Sequence, residues 1–217
     1  MSTKGVIFDL DGTLADTLHD LTDAVNAGLV AVGFAARSLA DVRGWIGEGL
    51  PILCRRAVDN APGVDLDWMA AVVTDHYRNH RLDKTTLYPG IAELLDELTA
   101  RRILLAILTN KPHEHTAPMA DELFSRWSFI AVEGYREEGL RKPDPRGTLA
   151  IVARMRLDPA HVFFVGDSAT DVHTALGAGV IPVGATWGYR SREEIAAAGV
   201  EYLIDHPSEL LPILDAG

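Results

Sequence analysis

A second cysteine, a long apolar run and an excess of positive charge are all missing from this chain of 217 residues. With Cys54 alone no internal disulfide is possible, which suits a reducing compartment, and Cys54 reads as a small buried apolar residue. No apolar stretch approaches the length needed to span a bilayer, so no membrane partner is expected. Met1-Ser2-Thr3-Lys4 runs straight into Gly5-Val6-Ile7-Phe8, too short an apolar run for a secretory leader, and a soluble cytoplasmic protein is the expectation. Lys and Arg number 20 against 31 Asp and Glu, a formal charge of -11. Non-specific nucleic-acid binding demands a basic surface, so no nucleic-acid partner is expected. An acidic chain that handles an anion must reverse the field locally, with a metal ion or with a few placed Lys and Arg side chains.

What is present is an alternation of short β-branched runs and amphipathic stretches, the pattern of an α/β fold with a parallel sheet. Strands are expected at 5–8, 103–108, 129–132, 162–165, 181–183 and 202–204. Several are apolar throughout, as strands covered on both faces should be. Between the first two lie about ninety residues, far more than one crossover helix needs. That interval reads as helices, including 18–32, 50–59 and 66–82, with no convincing strand. Helix 91–101, entered through Tyr88-Pro89-Gly90, then looks like the ordinary return to the sheet. The expected architecture is a Rossmann-like parallel-sheet core, 1–15 and 86–217, with an all-helical inserted cap, 16–85.

In open parallel sheets ligands bind beyond the carboxyl ends of the strands. Those ends are unusually polar here: Asp9-Leu10-Asp11-Gly12-Thr13, Thr109-Asn110-Lys111 and Gly166-Asp167-Ser168-Ala169-Thr170-Asp171. Asp9 and Asp11, two apart in an extended segment, point to one side, and Gly12 lets the chain turn. Two carboxylates that close need a counter-charge. A hard cation such as Mg²⁺ supplies it and takes a few carboxylates, with water and substrate phosphate completing its shell. If Ser168 opens a helix, Asp167 and Asp171 share a face near its first turn, where acidic groups also suit the dipole. Thr109 can hold phosphate oxygens, and Lys142, in Arg141-Lys142-Pro143-Asp144-Pro145, supplies the positive counterweight.

The order Asp9-x-Asp11-Gly12-Thr13, Thr109, Lys142, Gly166-Asp167-x-x-x-Asp171 resembles the haloacid dehalogenase superfamily over nearly the whole chain. The resemblance implies a phosphatase. Asp9 would be the nucleophile, and Asp11 would protonate the leaving alcohol and later activate water. Asp9 and Asp167 would hold Mg²⁺ by side-chain oxygens, Asp11 by its backbone carbonyl, and Asp171 would order water on the ion. Thr109 and the Asn110 backbone would grip phosphoryl oxygens, Lys142 would steady Asp9 and phosphate, and Thr13 joins the substrate-binding set. An acid at position 11 argues against the dehalogenase branch.

Trp45-Ile46-Gly47-Glu48-Gly49, Tyr88-Pro89-Gly90, Thr109-Asn110-Lys111-Pro112, Arg141-Lys142-Pro143-Asp144-Pro145 and Thr186-Trp187-Gly188-Tyr189-Arg190 further resemble phosphoglycolate phosphatases. A small phosphorylated metabolite, 2-phosphoglycolate first, is the expected partner of a monomer or homodimer. In the cap, Gly47 and Gly49 would let the backbone approach a ligand, and Arg43, Arg55 and Arg56 are candidates for its carboxylate. A phosphomutase, a nucleotidase or pyrophosphatase, and a non-catalytic binding module are the alternatives. Arg101-Arg102 stands where a glycine commonly ends the helix before the second strand. His113 and His115 could suggest a metal pair but read as solvated or capping, because i and i+2 diverge on a helix.

Overall fold

A computed structural model describes residues 3–136 and 141–216. Met1 and Ser2 of the leader reading, and residues 137–140 and Gly217 of the expected core span, lie outside the described residues. The chain divides into two compact units, one of Met1–Ala15 with Leu87–Gly217, the other Asp16–Thr86.

The chain opens with β1 (Gly5–Phe8) and the short β2 (Ala15–Asp16). Four helices follow, α1 (Leu18–Ala31), α2 (Leu39–Trp45), α3 (Leu50–Ala57) and α4 (Leu66–His80), before β3 (Thr86–Leu87). Alternation then sets in: α5 (Ile91–Ala100), β4 (Leu104–Pro112), α6 (His113–Leu123), β5 (Phe129–Tyr135), α7 (Arg146–Met155) and β6 (Val162–Gly166). It ends with α8 (Ala169–Ala178), β7 (Ile181–Ala185), α9 (Arg192–Ala197), β8 (Tyr202–Ile204) and α10 (Leu210–Ala216).

Six strands form one all-parallel, Rossmann-like sheet in the order β5-β4-β1-β6-β7-β8. Its apolar runs are buried because helices cover both faces. On one face Ile7, Ala106, Leu108, Ala131 and Phe164 meet Ile151, Val152 and Met155 of α7 and Ala175 and Ala178 of α8. The order places β1 between β4 and β6, with Phe8 level with Ile107 on one side and Val165 on the other. The carboxyl ends of these three strands therefore lie side by side, at the crevice where the strand order reverses.

Two expectations need correction. β4 continues to Pro112 instead of stopping at 108, so Thr109, Asn110 and Lys111 belong to a strand that β5 still accompanies through Pro112 and Tyr135. The pair β2 and β3, which form a two-stranded sheet at the junctions flanking the inserted stretch, is not among the expected strands. Arg102, flagged by the missing glycine, has φ 58°, the left-handed conformation that glycine adopts without cost.

Within the helical unit α1 packs on α4, with Gly28 so close to Val73 that a Cβ would sit 2.5 Å from its side chain. Asp20, buried on α1, accepts from Lys84 N, Thr85 N and the Thr85 hydroxyl (2.8–3.1 Å), tying the approach to β3 back onto the first helix. Cys54 is buried on α3, and burial pushes its thiol up to about 11, so it is inert apolar filling.

Candidate active site

The site grows from the end of β1. Asp9 continues the strand's ladder, its N–H donating to Val165 O at 2.9 Å, and its Oδ1 accepts from Leu10 N at 2.7 Å. Lys142 Nζ lies 2.9 Å from Asp9 Oδ1 and 2.6 Å from Asp171 Oδ1, with its side chain 3% exposed. That lysine is aimed by its own backbone: Lys142 N donates to Asn110 Oδ1 at 2.8 Å, and Asn110 Nδ2 donates back to Lys142 O at 3.0 Å. The side chain of Asn110 thus positions Lys142, a role distinct from the backbone contact expected of it.

Asp167 and Asp171 do converge with Asp9, but not because they share a helix face. Ser168 is the N-cap of α8, so Asp167 precedes the helix and only Asp171 lies in it. Asp171 fills the third helical position of a capping box, accepting from Ser168 N at 3.1 Å and Ser168 Oγ at 2.6 Å. One of its oxygens closes the helix and the other holds Lys142. Asp167 is held by a segment to which the sequence assigned no role. Tyr189 N donates to its Oδ2 at 2.6 Å, and Trp187 Nε1 donates to Thr13 O at 3.0 Å. Gly188 sits between them, where a Cβ would fall 2.3 Å from Asp167 Cβ and from Gly12 O. Gly12, at φ 84°, is equally constrained: a Cβ there would lie 2.4 Å from Asp167 Oδ2. Thr13, expected among the substrate-binding residues, is fully buried with its hydroxyl 3.3 Å from Asp167 Oδ1.

Asp11 follows Asp9 by two residues, at an isolated bridge to Ala15. Lys111 Nζ reaches both its oxygens, at 2.8 and 3.0 Å, and the side chains are 11% and 3% exposed. Thr109 is buried on the same strand, its Oγ1 accepting from Lys111 N at 3.3 Å.

Electrostatically the site is under-neutralised. Burial raises the Asp9 pKa to about 6 against the pull of Lys142. Burial, then the Asp171 and Asp9 charges, drive Asp167 to about 8. Burial alone would lower the Lys142 pKa, but Asp171 and Asp9 outweigh it and the ammonium is held well above its ordinary range.

Oxygens of Asp9, Asp167 and Asp171 lie within 4.8 Å of one another, and no other such acidic, His or Cys trio occurs among the described residues. The donor set is all oxygen, buried and short of positive charge, which fits a hard divalent cation. His113 and His115 take no part. His113 Nδ1 accepts from Gly134 N at 3.2 Å, with its pKa lowered by burial and then by Arg136. His115 is buried, so of the solvated or capping roles expected for it the solvated one does not hold.

The helical unit holds the other candidates. Arg43 and Arg55 are exposed, whereas Arg56 is half-buried and paired with Glu48. Gly47 and Gly49 have φ 115° and 88°, so backbone geometry already accounts for both glycines, Gly49 as N-cap of α3.

The family model of haloacid dehalogenase-like hydrolases matches residues 3–179, and the chain belongs to that family. Among particular proteins it is similar to phosphoglycolate phosphatase 1 of Pseudomonas aeruginosa, 35% identical over 97% of this chain and 79% of the relative. A phosphoglycolate phosphatase of Salmonella choleraesuis is 33% identical over 97% of this chain and 92% of its own length. A crystal structure from Haemophilus somnus 129PT, called a predicted phosphoglycolate phosphatase, superposes with a TM-score of 0.90 at 30% identity, covering 97% of each chain.

Proposed function

We propose that the chain is a Mg²⁺-dependent phosphatase that hydrolyses 2-phosphoglycolate through an aspartyl-phosphate on Asp9. The observation that carries this reading is the buried convergence of Asp9, Asp167 and Asp171 on one another, with Lys142 paired to Asp9 and Asp171. The relatives named phosphoglycolate phosphatase, which align over nearly the whole chain, support the choice of substrate.

Asp9 Oδ attacks phosphorus while the P–O bond to the alcohol breaks, and Asp11 gives its proton to the departing oxygen. Asp11, now a carboxylate, takes a proton from water as that water attacks phosphorus and the Asp9–phosphorus bond breaks. Both half-reactions use one acid–base group in its two states. Lys142 offsets charge on Asp9 and on the phosphoryl oxygens, and Thr109 with the Asn110 backbone donates to those oxygens. Held by Asp9, Asp167 and the Asp11 carbonyl, with Asp171 behind them, Mg²⁺ would supply Lewis-acid charge neutralisation. Thr13 and Tyr189 orient Asp167 for that task.

Choice of substrate we assign to the helical unit, with Arg43 and Arg55 as candidate partners for a substrate carboxylate. The test is a side-by-side turnover measurement on 2-phosphoglycolate, a sugar phosphate, a nucleoside monophosphate and an aryl phosphate, each with Mg²⁺ and with EDTA. Mg²⁺-dependent release of phosphate with the highest kcat/KM on 2-phosphoglycolate is expected. Equal kcat/KM on all four would remove the substrate assignment, and full activity in EDTA would remove the metal.

A further inference from the structure

The role given to Asp11 is demanding, because its carboxyl group must meet the leaving oxygen in one half-reaction and water in the next. Asp11 sits in a bend just after β1, where Gly12 turns the chain and Asp11 makes an isolated bridge to Ala15. An acid in a bend has rotamer freedom that must be removed by a partner. Lys111 is placed to remove it, with one ammonium donating to both Asp11 oxygens at 2.8 and 3.0 Å.

The anchor of Lys111 is rigid. It stands on β4 two residues beyond Thr109, and its backbone N–H donates to Thr109 Oγ1 at 3.3 Å. Its carbonyl accepts from the Thr116 hydroxyl of α6 at 3.3 Å, and Gly134 of β5 lies so close that a Cβ there would be 2.8 Å from that carbonyl. The stem runs through protein, leaving the side chain 3% exposed. A surface lysine would trade partners with water, but this one has little water to trade with.

We propose that Lys111 is the positioning residue for Asp11: from a fixed point on β4 it sets the plane of the carboxyl group. Both oxygens accept from the ammonium when Asp11 is a carboxylate; when one oxygen carries the proton, the other still accepts from Lys111 and keeps the group in place. The inference rests on the acid–base role of Asp11 proposed above and adds the group that makes that role geometrically possible. It also gives the two buried lysines separate duties, Lys142 to Asp9 and Asp171, Lys111 to Asp11.

The test exploits leaving-group chemistry. Departure of an alkoxide needs a proton from Asp11, whereas 4-nitrophenolate leaves without one. Single-turnover phosphorylation of the Mg²⁺-loaded enzyme is followed for 2-phosphoglycolate and for 4-nitrophenyl phosphate, in wild type, Lys111→Met, Lys111→Arg and Asp11→Asn. Positioned general-acid catalysis is worth about 10²–10⁴-fold. Lys111→Met is therefore expected to slow the alkyl ester by about 10²-fold or more and the aryl ester by less than about tenfold, matching Asp11→Asn in direction. Lys111→Arg should recover part of the alkyl rate, and melting temperatures identify any variant that fails to fold.

Equal losses on both esters would overturn the inference and make Lys111 a ligand of the phosphoryl group. An unchanged alkyl rate would overturn it as well, and so would an Asp11→Asn variant that fails to discriminate between the esters. A wild type inactive on every ester would instead refute the phosphatase reading itself, so the two failures are distinguishable.

Discussion

Removing the charge of Asp167 should change how stability depends on pH, and the size follows from its environment. In the folded, metal-free protein burial, then the neighbouring Asp171 and Asp9 charges, push the Asp167 carboxyl up to about 8, against 3.8 for an ordinary aspartate. A carboxyl group whose folded pKa lies above its unfolded one binds its proton more tightly when folded. Its contribution is therefore most favourable below the unfolded value and is lost as pH rises toward the folded one. Between pH 5 and 7.5 the loss is about 3 kcal/mol, at 1.36 kcal/mol per pH unit. For a chain of this size that corresponds to roughly 6–12 °C in Tm.

Asp167→Asn isolates this contribution, since the amide can accept from Tyr189 N through its oxygen and face the Thr13 hydroxyl with its nitrogen. Differential scanning calorimetry in EDTA, at pH 5 and 7.5, should show the wild type losing that much more stability than the variant. Saturating Mg²⁺, which requires the ionised form, should remove the wild-type loss and act more strongly at pH 7.5 than at pH 5. Identical pH dependence of wild type and variant in EDTA would refute the reasoning.

Asp9→Asn should abolish turnover and phosphoenzyme while leaving circular dichroism unchanged, because an amide is a poor nucleophile; retained phosphoenzyme, seen by intact mass, would remove the covalent mechanism. Asn110→Ala strips both bonds from the buried Lys142 backbone and should cost about 1–3 kcal/mol of stability, measured by urea unfolding. Its kcat should fall more than its KM rises. Arg102→Gly relieves the left-handed strain at φ 58° and should stabilise by up to about 1 kcal/mol, raising Tm by a few degrees without altering kcat.

Much of the sheet was legible because parallel strands announce themselves as unbroken apolar runs, and 5–8 and 202–204 coincide with β1 and β8. β4 overran its expected end because Thr109, Asn110 and Lys111 are polar, and polarity at a strand's end reads as loop unless the partner strand is known. The same blindness hid the Lys111–Asp11 pair: an ion pair across 100 residues leaves no spacing to detect. Trp187, Gly188 and Tyr189 read in the sequence as a motif without a task, because Tyr189 acts through its backbone N–H and Gly188 by lacking a Cβ. The convergence of Asp167 with Asp171 was expected for a mistaken reason. The i, i+4 spacing suggested one helix face, whereas an N-cap stands between them. The missing glycine at Arg102 was the reverse case, an oddity in the letters that the backbone explains directly.

Asp171 has a double allegiance, one oxygen to the start of α8 and the other to Lys142. The first turn of that helix and the charge cluster therefore depend on one and the same carboxylate. A lineage that swapped Asp171 to retune the chemistry would fray a helix in the bargain, and one that re-cut the helix end would unseat a lysine. Architecture and reactivity at this corner must change together or stay as they are.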